Sequence, residues 1–113
     1  PQTASNFKQV GKNEKEAEEV LDVAKQLEAA GCFMLVLEHI PASLGVKITK
    51  ELKIPTIGIG AGGECDGQVL VINDVIGMGD YWPPFSKQYA HVNETVSNAA
   101  KAFIKDVKEK RFP

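Results

Sequence analysis

The run Cys32-Phe33-Met34-Leu35-Val36-Leu37 carries no charge and ends in Glu38, and no other segment constrains the fold as strongly. Such a run reads as a strand buried on both faces, the pattern of parallel sheets. Glu38 falls where the strand should leave the sheet, and Pro41 follows, a residue suited to opening a helix. In α/β barrels and open α/β sheets, reacting groups stand at the carboxyl ends of strands. Glu38 is therefore a candidate for chemistry. The plainer alternative is a carboxylate that caps the next helix or meets a surface lysine.

Helical patterns flank this strand. Asn13 with Glu16 fits a capping box, and Ala17, Val20, Leu21, Ala24 and Leu27 recur at helical spacing. Gly31 supplies the stop. A second helix is expected over Pro41 to Leu52, with Leu44, Ile48 and Leu52 on one stripe. Gly45 within it costs about 1 kcal/mol relative to alanine, so tertiary contacts must outweigh that cost or the helix begins late. A strand over Thr56–Gly60 and a third over Gln68–Ile72 follow, joined by a turn too short for the usual parallel crossover. Residues 73–84 read as a loop, and a helical pattern resumes from Phe85 with Tyr89, Val92, Val96, Ala99, Ala100, Phe103, Ile104 and Val107. Residues 1–12 read as a loop. Alternating helix and strand place the chain in the α/β class.

Several functions are disfavoured by what the chain lacks. At 113 residues and net charge −2, it has no basic stripe interleaved with aromatics, so no nucleic-acid surface is expected. No apolar stretch reaches the roughly 18 residues needed to span a bilayer, and no signal-peptide pattern opens it. Cys32 and Cys65 are isolated, which suits a reducing compartment, and a cytoplasmic location is expected. His39 and His91 belong to no ligand motif.

Gly58, Gly60 and Gly63 satisfy GxGxxG spacing, but Glu64-Cys65-Asp66-Gly67 and another strand replace the required helix. Close backbone passage is the better use for these glycines. Asp66 and Asp74 sit near strand ends, where aspartates bond local backbone. Tyr81, Trp82 and Phe85 could line a pocket; packing that anchors the last helix is the alternative. A His39–Glu38 dyad is weak, because adjacent side chains diverge. Lys105, Lys108, Lys110 and Arg111 read as a solvated helix end.

Taken together, Leu35-Val36-Leu37-Glu38 with Ile40-Pro41, Ile54-Pro55-Thr56-Ile57-Gly58-Ile59-Gly60-Ala61-Gly62 and Asp66-Gly67-Gln68-Val69-Leu70-Val71 resemble the ketopantoate hydroxymethyltransferase family. Asp74, Asp106-Val107-Lys108 and Phe112-Pro113 continue the resemblance, as do Pro1-Gln2 and Phe7-Lys8 at the start. It implies a (βα)8 TIM barrel of the phosphoenolpyruvate/pyruvate type, of which residues 1–113 would be the C-terminal part, with the last three βα units. A barrel needs about 250 residues, so this length cannot close one. The resemblance also implies transfer of a hydroxymethyl group from 5,10-methylenetetrahydrofolate to 3-methyl-2-oxobutanoate, giving 2-dehydropantoate for pantothenate synthesis.

In the family pattern Glu38 matches the general base. The resemblance implies Mg²⁺, with its ligands in the absent N-terminal half and none in this chain; residues that bind the keto acid are unknown here. His39 stands where relatives often carry a smaller residue, which would narrow the pocket behind Glu38, and Gly45 where they carry a better helix former. The partners implied are a complementary N-terminal barrel fragment, the keto acid and further copies in a homo-oligomer, often a decamer. The chain alone is expected to be inactive. Two other readings stand beside this one. A free-standing α/β module could bind a phosphate ligand through Gly58–Gly63, or an inactive barrel segment could serve assembly.

Overall fold

The computed structural model describes residues 8–113. The element order is α1 (Glu14–Ala29), β1 (Leu35–Glu38), α2 (Ala42–Glu51), β2 (Thr56–Ile59), β3 (Gly67–Gln68), α3 (Ile72–Ile76) and α4 (Val92–Lys108). The three strands form one parallel sheet in the order β1-β2-β3. Two compact units divide the chain. One runs to Leu70 and takes in Pro83–Phe85; the other comprises Val71–Trp82 and Ser86–Pro113. Of the loop expected over 1–12, residues 1–7 lie outside the described residues, and 8–12 form neither helix nor strand.

In the first unit, α1 opens as its sequence predicts, with one change. The Asn13 side chain accepts from the Glu16 N–H at 2.9 Å, but Glu16 reaches past Asn13 and accepts from the Gly11 N–H at 3.1 Å. At the other end Gly31, at φ +104°, closes a Schellman motif. The Cys32 N–H donates to the Leu27 carbonyl and the Gly31 N–H to that of Glu28. The Glu28 carboxylate then accepts from the backbone N–H groups of Lys53 and Ile54, tying the end of α1 to the approach to β2.

The strand predicted at Cys32–Leu37 begins at Leu35 and includes Glu38 as its last residue. It is also not buried on both faces. Leu35 and Leu37 join a core with Leu21, Ala24, Leu44 and Ile48, whereas Val36 is 61% exposed. The register pairs Leu35 with Thr56, Val36 with Ile57, Leu37 with Gly58 and Glu38 with Ile59. Leu35, Leu37, Thr56 and Gly58 therefore share the buried face. Val36, Glu38, Ile57 and Ile59 share the other, which α1 and α2 do not cover. Charge-free composition concealed this asymmetry, because an apolar residue reads alike whichever face it occupies.

Helix α2 starts promptly, so Gly45 does not delay it. A Cβ at position 45 would collide with the backbone carbonyl of Ala61, and glycine is what admits that approach. The amino-terminal end of the sheet is fastened by a polar group. Thr56, fully buried, exchanges a hydroxyl hydrogen bond with Thr49 at 2.8 Å, and its N–H donates to Asp66 at 2.9 Å.

The third strand is shorter than expected. Only Gly67 and Gln68 pair with β2, and Ile72, expected as its last residue, opens the short helix α3 within the stretch read as a loop. Seven residues without a helix connect β2 to β3.

In the second unit, α4 begins at Val92, not near Phe85, with His91 as its N-cap. The Tyr89 N–H donates to the Val75 carbonyl at 2.7 Å, so this stretch bonds to α3 and does not coil. None of the residues of α4 is buried. Val96, Phe103, Ile104 and Val107 present an apolar face, and Arg111 pairs with Asp106 and Glu109 beyond its end.

Candidate functional site

Parallel strands put their carboxyl ends on one edge of the sheet, and both chemistry-bearing candidates of the first unit meet there. Glu38 ends β1, exposed and on the uncovered face, above a floor made by Val36, Ile57 and Ile59. Among the described residues its carboxylate makes no hydrogen bond or ion pair. The carboxylate does not cap α2, whose N-cap is Pro41 with no side-chain bond. Nor does a lysine hold it. Both plainer roles considered for Glu38 are absent among the described residues.

His39 diverges from Glu38, as adjacent side chains do, and its backbone adopts φ +50°. That conformation costs a non-glycine residue roughly 1–2 kcal/mol. It is held from both sides: the His39 N–H donates to the Ile59 carbonyl at 2.9 Å, and the His39 carbonyl accepts from the Val10 N–H at 3.1 Å. The imidazole lies 5.1 Å from the Phe85 ring, and its Nδ1 is buried without a hydrogen-bond partner. Phe85 itself sits on Gly60, where a Cβ would approach its ring to 2.6 Å. These residues line a 610 Å³ cavity with Gln9, Gln68 and Gly62.

The glycine run does not build a phosphate cradle. Gly58 leaves room for Cys65 and Gly60 for Phe85, and a turn leading to β3 follows where a helix would have to begin. Close packing explains the run. Asp66 bonds the backbone N–H of Thr56, a structural role, as expected for an aspartate near a strand end. Asp74 lies within α3, not in a turn, and is 7% exposed. Of the aromatic trio, Phe85 belongs to the first unit and lines its cavity, whereas Tyr81 and Trp82 belong to the second. The pocket-lining alternative thus holds for Phe85. Sequence reasoning also missed Gln9 and Gln68 as lining residues, since isolated glutamines carry no pattern.

Among the described residues, no group of three or more His, Cys, Asp or Glu side chains is placed to hold a metal ion. The surroundings of Glu38 on its own face are hydrocarbon, which does not fit Mg²⁺, an ion that demands octahedral oxygen ligands. No described helix is long and apolar enough to cross a membrane.

The family model for ketopantoate hydroxymethyltransferase matches residues 1–113. The chain belongs to that family. A 3-methyl-2-oxobutanoate hydroxymethyltransferase of Haloarcula marismortui is 54% identical over 99 residues, covering 88% of this chain and 37% of the relative. Proteins of the same name from Acaryochloris marina and Caldivirga maquilingensis are 50% and 46% identical, over 96% and 98% of this chain and 42% of each relative. This member of the ketopantoate hydroxymethyltransferase family thus spans about two fifths of the length of the curated relatives it matches. The family is one of enzymes, and the mixed α/β fold with a small parallel sheet is consistent with a portion of it.

Proposed function

We propose that this chain is the C-terminal part of a ketopantoate hydroxymethyltransferase, that an N-terminal portion completes its (βα)8 barrel, and that Glu38 is the general base. The observation that carries the reading is the position of Glu38. It ends a parallel strand on the one sheet face that the helices leave open, and a closed barrel turns that face inward.

The Glu38 carboxylate takes the proton from C3 of 3-methyl-2-oxobutanoate, and the C–H electron pair moves into the neighbouring carbonyl to give an enolate. C3 then bonds to the one-carbon unit of 5,10-methylenetetrahydrofolate. The bond from that carbon to one folate nitrogen breaks as C3 attacks, and water displaces the second nitrogen, supplying the hydroxyl group. The proton held by Glu38 and one from water go to the two nitrogens of the departing tetrahydrofolate, leaving 2-dehydropantoate. Mg²⁺, whose ligands would lie in the N-terminal portion, would hold the keto acid and stabilise its enolate. The homo-oligomer rests on family membership, and the cytoplasmic location on that together with the free Cys32 and Cys65. The phosphate-binding module has no supporting observation, because packing fills Gly58, Gly60 and Gly62 and no helix opens after the run.

The experiment is reconstitution. The chain joined to, or co-assembled with, an N-terminal portion should convert the keto acid, and Glu38→Gln should stop it. A stable, assembled barrel that is inactive with Glu38 intact overturns the reading. Intact masses of the native particle identify its second component.

A further inference from the structure

The cavity lined by His39 and Phe85 takes part in no step of that chemistry, and Glu38 is not among the residues that line it. At 610 Å³ it is of ligand-binding size. Its chemistry is selective. His39 and Phe85 supply two aromatic rings tilted at 59°, and Gly63, open where a side chain would stand, leaves backbone bare beside them. Gln68 spends one donor on the Gly62 carbonyl at 2.8 Å, which leaves its Oε1 to accept. Gln9 offers a whole carboxamide. No lysine, arginine, aspartate or glutamate lines the cavity among the described residues. Nδ1 of His39 is buried and has no hydrogen-bond partner among the described residues, and a neutral imidazole offers one donor and one acceptor.

A phosphate or carboxylate would find no countercharge on these walls. A flat ring with alternating donors and acceptors would find aromatic faces to stack on and two carboxamides to pair with its edge. We propose that this cavity is a subsite for a neutral, planar heteroaromatic ring with an amide-like edge. Resting on the reading above, the ring of that class is the pteridine of the one-carbon donor. The placement is economical. His39 and Glu38 are chain neighbours, about 3.8 Å apart at Cα, so the cavity and the carboxylate share the carboxyl edge of the sheet. The strained backbone of His39, fixed by two main-chain hydrogen bonds, keeps its ring on the cavity side while Glu38 keeps to the sheet face.

The test uses the full-length assembled enzyme, with tetrahydrofolate as the probe in calorimetric titration and both substrates in steady-state kinetics. Phe85→Ala and His39→Ala should each weaken tetrahydrofolate binding about tenfold, the scale of one lost stacking face, and raise KM for the methylene donor in parallel. KM for the keto acid should stay within about twofold. Phe85→Leu, which keeps the packing on Gly60 but loses the aromatic face, should show the same selective loss and separates binding from folding. Equal rises in both KM values, or no change in either, overturn the subsite. Glu38→Gln should abolish turnover and leave tetrahydrofolate binding intact. An enzyme that binds tetrahydrofolate through His39 and Phe85 yet never turns over would sink the proposed function and leave the subsite standing.

Discussion

Gly45 of α2 lies against the main-chain carbonyl of Ala61, closer than any side chain would permit. The contact fixes helix to strand-end loop through backbone on one side and an absent Cβ on the other. Gly45→Ala improves helix propensity by about 1 kcal/mol, but overpacking against unyielding backbone costs about 1–3 kcal/mol or more. A net loss of stability is expected, read as a lower urea midpoint. A raised midpoint would show that the loop moves aside freely.

Asp66→Ala leaves the Thr56 N–H without its acceptor in a buried setting. A loss of about 1–3 kcal/mol is expected from chemical denaturation. In the assembled enzyme the keto acid KM should hold steady, because Asp66 fastens the amino-terminal end of the sheet. A selective change in that KM would place Asp66 in the site instead.

Glu38→Gln should behave in the opposite manner. The side chain is exposed and bonds to nothing among the described residues, so thermal stability should change by less than about 0.5 kcal/mol. Turnover of the assembled enzyme should fall by a factor of roughly 10²–10⁴ or more. Wild-type turnover in this variant would remove Glu38 from the chemistry.

Val36→Asp probes the open face. Val36 is 61% exposed, so the substitution should cost the chain little by itself. If the N-terminal portion covers this face, a buried unpaired carboxylate should block assembly, seen as loss of the joint species in native mass measurements. Unimpaired assembly would mean that the face stays wet.

Asn13→Ala removes the one side-chain cap of α1. A loss of about 1 kcal/mol is expected, and amide exchange should quicken in the first turn of the helix. Unchanged exchange would assign the capping to Glu16 and Gly11.

Helix α1, helix α2 and strand β2 were legible because each couples a clean period to a physical stop: Asn13 and Gly31, Pro41 and Leu52, Pro55 and the glycines. Strand β1 was legible in place but not in burial, since alternation is invisible when both faces carry apolar residues. Val69, Leu70 and Val71 read as strand because β-branched runs favour one, yet β3 stops at Gln68. Helix α3, a single turn that ends at Gly77, is too short for any period to show. Glu38 was found from its position at the end of an uncharged run. The cavity was not, because His39, Phe85, Gln9 and Gln68 come from four separate places along the chain and no local spacing joins them.

Thr56 begins β2 and Glu38 ends β1, and parallel strands put these residues at opposite ends of the sheet. About three strand rises, ~10 Å, part the residue that fastens the fold from the residue placed for chemistry. Substitutions at the two ends should therefore add nearly independently. A lineage can exchange residues around the rim, His39 among them, and sample new ligands while the Thr49–Thr56–Asp66 knot keeps every intermediate foldable.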